Sequence, residues 1–199
     1  MKIINKSKSI ILLIAMLTAM NAGAEPSSNV VWTKETRELI KNADLENGEK
    51  LARKCAKCHG EDGTDVDVLE DGETPYISGQ VAHASYKQLV DYLDKKRDSR
   101  DMYKKIKKLS KQDFADVSAY FATQALPVAS VDKSKVTKAA IRMANRGSGK
   151  RFIPPCAACH GLNGEGAIVD VPALAGQSPG YFVMTMMEYK EGDRENDIY

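Results

Sequence analysis

The residues best suited to chemistry are the cysteines, which all lie in two copies of one pentapeptide. The first copy is Cys-Ala-Lys-Cys-His at residues 55–59 and the second is Cys-Ala-Ala-Cys-His at residues 156–160, each followed by glycine. This spacing is an attachment signal for c-type haem, because two thiols one helical turn apart each reach a vinyl group while the adjacent imidazole ligates the iron. We therefore predict covalent attachment and axial ligation by these residues: Cys55, Cys58 and His59, and Cys156, Cys159 and His160.

Two other uses of a Cys-x-x-Cys pair compete with haem attachment. In an exported protein the pair also forms a disulfide or a thioredoxin-like redox couple, and it supplies half of a zinc site. A thioredoxin-like domain needs a βαβ frame, which this sequence does not indicate. A zinc site does not account for the histidine that follows the second cysteine in both copies. Two copies that use every cysteine favour two covalently bound haem c groups.

The second axial position of the first haem has a candidate in Met102. A thioether ligand favours ferrous iron and raises the reduction potential relative to imidazole. A lone methionine is more often core filler, but Met102 lies in a charged stretch, residues 100–104, where filler has little reason to occur. His83 is a rival ligand, although its place near the start of a predicted helix favours a surface position.

The rest of the chain repeats around the two motifs. Residues 74–80 match residues 171–177, and the same offset pairs a tyrosine and an arginine of each unit, Tyr92 with Tyr189 and Arg97 with Arg194. Two similar units in tandem account for this pattern. Within it, the carbonyls of Pro75 and Pro172 are candidates to accept a hydrogen bond from the axial histidine of their unit; alternatively, the prolines only stiffen their loops.

The elements that position these residues are predicted to be helices. Apolar periodicity predicts helices over residues 44–54, ending at the first cysteine, and over residues 86–96 and 135–145. A capping box from Ser110 to Asp113 predicts the start of another helix. No run of alternating residues predicts strands, and each unit is too small to build a large apolar core. We therefore expect a haem to fill the centre of each unit.

Residues 1–24 have the pattern of a cleavable signal peptide. Three lysines precede an apolar run, and Ala22-Gly23-Ala24 supplies a small-residue cleavage site. Removing this segment leaves 26 basic and 27 acidic residues, a net charge of −1, compared with +2 for the whole 199-residue chain. We expect a periplasmic protein, with membrane association through an uncleaved leader as the alternative. The near-neutral charge excludes nucleic-acid binding through bulk positive charge.

Together these motifs resemble the dihaem class I cytochromes c, most closely the cytochrome c4 family. The resemblance extends from about Leu45 to Tyr199 and rests on these segments: residues 55–60, 77–80, 87–89 and 97, and residues 153–161, 172–177, 181 and 192–197. It implies an all-α fold of two tandem small cytochrome c domains, each around a covalently attached haem, at residues 25–126 and 137–199 with a linker at 127–136. It also implies His59/Met102 ligation, because Met102 precedes the Leu109-Ser110 pair by seven residues.

The second unit departs from the family pattern. The methionine expected several residues after Arg194 is not found, so no sixth ligand of the second haem is identified, and we interpret the sequence as C-terminally incomplete. The methionines at 184, 186 and 187 align with the 87–89 segment and are expected to be packing residues. Residues 152–187 contain only two charged residues, Glu165 and Asp170, which suggests burial against the other unit.

The resemblance predicts an electron carrier rather than an enzyme. The alternative is a dihaem subunit of a larger oxidoreductase, such as a flavocytochrome c sulfide dehydrogenase. A haem peroxidase or ligand sensor is disfavoured, because the second unit has no histidine other than His160. Expected partners are membrane-bound or soluble electron donors and a terminal acceptor such as an oxidase, with no small-molecule substrate. A basic cluster is a candidate docking surface for an acidic partner; its residues are Lys104, Lys105, Lys107 and Lys108.

Overall fold

The computed structural model describes residues 26–61, 63, 74–127, 133–167 and 169–197. Within these ranges the chain forms eight α-helices, two 3₁₀ turns and no strand beyond two isolated β-bridges, which confirms the all-α fold class. The helices are α1 (Lys34–Lys41), α2 (Leu45–His59), α3 (Ala82–Leu93), α4 (Arg100–Ile106), α5 (Lys111–Ala122), α6 (Lys138–Arg146), α7 (Cys156–His160) and α8 (Pro179–Glu191). The signal peptide and part of the linker lie outside the described residues.

Helix α2 carries the first pentapeptide at its C-terminal end. Asp44 caps the helix by accepting hydrogen bonds from the backbone N–H groups of Glu46 (2.9 Å) and Asn47 (3.0 Å). The prediction that this helix ends at the first cysteine is wrong, because it continues to His59 and ends at Gly60, whose φ is 78°. The motif residues do not continue the apolar stripe of this helix, so apolar periodicity did not predict its last turn.

Helix α5 is the centre of the apolar core in the first half. The predicted capping box between Ser110 and Asp113 is confirmed at its N-terminus. The apolar stripe of this helix is buried and consists of Phe114, Val117 and Phe121. Helices α1, α2 and α3 all pack on α5, and α4 packs on α3. The first pentapeptide is therefore held on a helix that the core itself anchors.

Several helix boundaries differ from the sequence predictions. Helix α3 was predicted over residues 86–96 but spans Ala82–Leu93. It ends just before Lys95, whose φ of 59° lies in the left-handed region. Helix α6 begins later than predicted because Thr137 provides its N-cap, accepting a hydrogen bond from the backbone N–H of Ala140 at 3.1 Å. Helix α1 was not predicted, since eight residues are too few for a clear period.

Gly48 permits the close approach of α2 to α5. A Cβ atom at this position would lie 2.3 Å from the backbone oxygen of Asp116 and 2.8 Å from the Cβ of Tyr120. We expect Gly48→Ala to lower the free energy of unfolding by about 2 kcal/mol, within the usual range for overpacking, despite the better helix propensity of alanine. Urea unfolding measures this change. Gly149→Ala is the control, because its Cβ would meet no atom within 4 Å; equal stability of both variants would contradict the prediction.

The second half carries its pentapeptide on a helix of its own. Gly147, with φ of 64°, ends α6, and Pro154 and Pro155 precede the five-residue helix α7. From residue 133 onward, the described residues include one buried apolar side chain, that of Ala173. The exposed large apolar residues of this half are Val136, Ile141, Phe152, Ile153, Leu162, Phe182, Val183, Met186 and Met187. Sixteen of the 35 described residues between 152 and 187 are exposed, so the expected burial against the first half is wrong for this part of the segment.

Candidate haem sites

The imidazole of His59 is fixed by one hydrogen bond and by burial. Its Nδ1 lies 2.9 Å from the carbonyl oxygen of Pro75, which confirms the contact anticipated from the sequence. A carbonyl only accepts hydrogen bonds, so Nδ1 must carry the proton, and in the neutral ring Nε2 keeps its lone pair. Burial lowers the pKa of His59 and outweighs the opposing effect of the Pro75 hydrogen bond. The ring is thus held in the neutral tautomer that ligates a metal through Nε2.

His160 is oriented in the same way in the second half. Its Nδ1 lies 2.8 Å from the carbonyl oxygen of Pro172. The loop after each motif is closed by the same hydrogen bonds as well. The carbonyl of Gly63 accepts from the N–H of Ile77 at 2.9 Å, and the carbonyl of Gly164 accepts from the N–H of Leu174 at 2.7 Å. The sequence repeat is therefore a repeat of site geometry.

The cysteines of both motifs form no disulfide, and the described residues around them form no metal site. All four are unpaired in the structure. Burial raises the pKa of the Cys55 thiol to about 11, whereas a redox-active cysteine needs a lowered pKa. The described residues contain no group of three or more His, Cys, Asp or Glu side chains arranged to hold a metal ion. The zinc and thioredoxin-like alternatives therefore find no support in the described part of the chain.

The structure places Met102 and His83 on different helices of the first half. Met102 lies on α4, partly buried against the cluster that contains Tyr86 and Phe114. His83 lies on α3, where its ring centroid is 5.0 Å from that of Trp32, and burial lowers its pKa. The side chain of His83 is half-buried beside Trp32, so the expected surface position is met only in part. The assignment of Met102 as an iron ligand stays a prediction.

The exposed apolar surface of the second half fits a large apolar cofactor. Phe152 is 93% exposed and Leu162 is 83% exposed, although both flank the second pentapeptide in sequence. Met186 and Met187 are also exposed, so the packing role expected for them is not observed. A haem supplies a large apolar body that this half lacks. The donor set and the unburied apolar residues thus both fit covalent haem.

A polar network joins the two halves and was not predicted. The Nζ of buried Lys87 lies 2.7 Å from a carboxylate oxygen of Asp91 and donates to Asp197 and to the carbonyl of Asn196. Each half also stacks the repeated arginine on the repeated tyrosine at 4.7 Å, which supports the offset found in the sequence. No single-sequence signal marks Lys87, because its partner Asp197 is 110 residues away.

Two matched histidine sites on an all-α frame define the class of protein, a dihaem c-type cytochrome. The family model described as cytochrome c matches residues 45–125. Cytochrome c4 of Pseudomonas aeruginosa is 33% identical over 155 residues, which are 77% of this chain and 75% of that protein. The crystal structure of reduced recombinant cytochrome c4 from Pseudomonas stutzeri has a TM-score of 0.70 and 28% identity, covering 79% of this chain and 85% of that one. The chain belongs to the cytochrome c4 family.

Membership in this family establishes the general activity. The protein is an electron carrier with covalently bound haem c, and it acts with redox partners rather than as an enzyme. Another relative is named thiosulfate dehydrogenase electron acceptor, from Stutzerimonas stutzeri; it is 33% identical over 148 residues, 73% of this chain and 67% of that protein. None of the helices in the described part of the chain combines the length and apolarity of a membrane span.

Proposed function

We propose that the protein carries single electrons between redox proteins of the periplasm, with one haem in each half. Cys55 and Cys58 bind the first haem, and His59 and Met102 are its axial ligands. Cys156 and Cys159 bind the second haem, and His160 is one of its axial ligands. When bound, haem iron supplies reversible one-electron chemistry, and the protein sets its potential through ligands, hydrogen bonds and burial.

The observation that carries this proposal is the duplicated histidine geometry. In both halves a histidine directly follows the cysteine pair, and its Nδ1 is held at 2.9 or 2.8 Å by a proline carbonyl. A histidine fixed in this way keeps one ring orientation and one tautomer, as an axial ligand requires. A single covalently bound haem needs only one such cysteine-histidine motif, so the second copy supports a second haem.

The proposed organisation follows the repeat. The first domain comprises residues 25–126, the linker residues 127–136 and the second domain residues 137–199. The signal-peptide pattern at residues 1–24 supports export to the periplasm, where c-type haem is attached. Disulfide-forming enzymes share that compartment, but four unpaired cysteines in haem motifs remain available for thioether bonds.

The basic cluster on and beside α4 supports docking of an acidic redox partner. The side chains of Lys104, Lys105, Lys107 and Lys108 are all exposed. Two of them lie on the helix that carries Met102 and two directly follow it, so a partner attracted to them approaches the proposed iron ligand. Attraction of this kind raises the association rate more than the affinity and weakens with salt.

Near-infrared spectroscopy combined with a reductive titration tests the proposal. We expect two electrons per chain and a weak sulfur-to-iron band in the oxidised protein. Met102→Ala should remove the band of the first haem and lower the potential of that haem, because a thioether stabilises ferrous iron. Met186→Ala, which changes an exposed methionine of α8, is the control and should leave the band unchanged. A sulfur-to-iron band that Met102→Ala leaves undiminished, or no such band in the unmodified protein, would contradict the assignment of Met102. If the band is absent and the potential of the first haem changes in His83→Ala, the ligand is His83 instead.

The relative named thiosulfate dehydrogenase electron acceptor supports a second candidate function. In that role the protein receives electrons from a dehydrogenase that oxidises a sulfur oxyanion, instead of serving several donors. Reduction by a purified thiosulfate dehydrogenase with thiosulfate, much faster than reduction by other periplasmic dehydrogenases, would favour this role. Equal rates with unrelated donors would favour the general carrier.

A further inference from the structure

Gln80 and Gln177 occupy equivalent positions of the repeat, and each binds the main chain of the opposite half. The side chain of Gln177 accepts a hydrogen bond from the N–H of Tyr76 at 2.8 Å and donates one to the carbonyl of Tyr76 at 2.9 Å. The side chain of Gln80 accepts from the N–H of Ala173 at 2.7 Å and donates to its carbonyl at 3.1 Å. Tyr76 and Ala173 are themselves equivalent in the repeat, so the pairing is reciprocal.

The amide orientation of each glutamine is fixed by its own half as well. The Oε1 atom of Gln80 also accepts from the N–H of Val81 at 2.9 Å, and that of Gln177 also accepts from the N–H of Ser178 at 2.9 Å. Two N–H donors point at one end of each amide and a carbonyl faces the other end. The positions of the amide oxygen and nitrogen therefore follow from the partners themselves.

These contacts end on the peptide groups that hold the axial histidines. The carbonyl of Pro75 and the N–H of Tyr76 belong to one peptide group, and that carbonyl is the partner of His59 Nδ1 at 2.9 Å. A single peptide group thus lies between the His59 ring and Gln177. In the other half, the peptide group between Pro172 and Ala173 lies in the same way between the His160 ring and Gln80.

We propose that each glutamine tunes the reduction potential of the haem in the opposite half. An acceptor on the N–H of a peptide group polarises that group and makes its carbonyl a stronger acceptor. The stronger hydrogen bond from Nδ1 makes the imidazole a more electron-rich ligand, which stabilises ferric iron and lowers the potential. Gln177 is the positioning residue for His59, and Gln80 is the positioning residue for His160. This inference rests on the axial roles given to both histidines in the proposed function.

The test is a crosswise measurement on the full haem-loaded chain. We would make Gln80→Met and Gln177→Met, which keep side-chain length but remove all three hydrogen bonds of each amide, including the two to the opposite half, and measure the two potentials separately. Gln80→Met should shift the Fe(III)/Fe(II) equilibrium of the second haem toward Fe(II) by about threefold to tenfold, or about 30 to 60 mV for a one-electron couple. Gln177→Met should do the same to the first haem. Gln124→Met is the control, because the side-chain amide of Gln124 donates to the carbonyl of Tyr120 and the hydroxyl of Thr123 at its own helix end.

The crosswise pattern separates tuning from a merely structural role. A glutamine that only caps the helix of its own half would shift the potential of its own haem, or both potentials equally, and either result overturns the inference. In the reduced protein, the Nδ1 proton signal of the opposite histidine should also move upfield as its hydrogen bond weakens; an unmoved signal counts against the inference.

The unmodified protein provides a second test, which does not require either variant to fold. If neither variant folds, stepwise oxidation of the unmodified protein should shift the side-chain amide signals of each glutamine mainly when the opposite haem changes state. Shifts that follow the haem of the same half would overturn the inference. Failure of the proposed function would appear as missing haem in the unmodified protein, whereas failure of this inference leaves both haems bound and both potentials unmoved.

Discussion

Replacing Cys156 and Cys159 with alanine should halve the covalently bound haem, leaving one haem per chain. Thioether bonds survive denaturation, so intact-mass measurement under denaturing conditions counts only covalently attached haem. Replacing Cys55 and Cys58 should give the same loss of mass from the other half, and replacing all four cysteines should leave none. We also expect the second half to lose helical structure in the first of these variants, because its described residues bury so little apolar surface without a cofactor.

A substitution inside the first motif provides the matched control. Lys57→Ala converts the first pentapeptide into the sequence of the second, Cys-Ala-Ala-Cys-His, and changes an exposed side chain. Both haems should remain attached, since only the thiols and the histidine take part in the chemistry. An unchanged mass in the double-cysteine variants, or a loss of haem in Lys57→Ala, would contradict the assignment of the four cysteines.

The parts of the molecule that could be predicted are those that depend on neighbouring residues. Five consecutive residues contain the whole attachment chemistry, and the capping box at Ser110 needs only four. The contact of each motif histidine with a proline carbonyl was also predictable, because the sequence repeats both partners. The end of α2 was not, since helical hydrogen bonds of the backbone continue through residues that add nothing to the apolar stripe.

The contacts between the halves could not be predicted because they depend on tertiary packing. Gln80 and Gln177 were visible as matching residues, yet their spacing does not show that each binds the other half. The exposed apolar residues of the second half show that burial, too, could not be predicted from residue type. Phe152 and Leu162 are large apolar residues of the kind usually found in a core, but the second half of the polypeptide alone does not bury them. Where a cofactor forms part of the core, an apolar residue in the sequence does not predict burial against other side chains.

Lys87→Met should lower the free energy of unfolding by about 3–5 kcal/mol, because it leaves a buried carboxylate without its cation. Asp91 is 0% exposed, and the hydrogen bonds that remain to its carboxylate among the described residues include those from the hydroxyl of Ser28 and from the amide of Asn196 at 2.7 Å. Lys87 also donates to the carbonyl of Asn196 and to Asp197, so the variant loosens the second half from the first as well. Chemical unfolding of the haem-loaded protein measures the loss.

An exposed pair of the same spacing supplies the control for Lys87→Met. Lys50 and Glu46 are four residues apart on α2 with the same 2.7 Å distance, but their side chains are 62% and 78% exposed. Lys50→Met should leave stability unchanged, because exposed ion pairs contribute little. Adding Asp91→Leu to Lys87→Met should recover most of the stability, since it removes the unpaired charge. If Lys87→Met lowered the free energy of unfolding as little as Lys50→Met, Asp91 would not be left as an unpaired buried charge.

The acid limb of the stability curve should change with the same substitution. Burial by itself raises the pKa of Asp197, but the hydrogen bond and charge of Lys87 outweigh burial and bring this pKa down to about 2. A carboxyl group whose pKa is lowered on folding contributes stability that is complete above its unfolded pKa of about 3.8 and is lost as the pH falls toward 2. Without Lys87 the pKa of Asp197 rises toward its ordinary value, so unfolding measured between pH 5 and pH 2 should depend less steeply on pH. A slope equal to that of the unmodified protein would show that Lys87 does not hold Asp197 in the charged form.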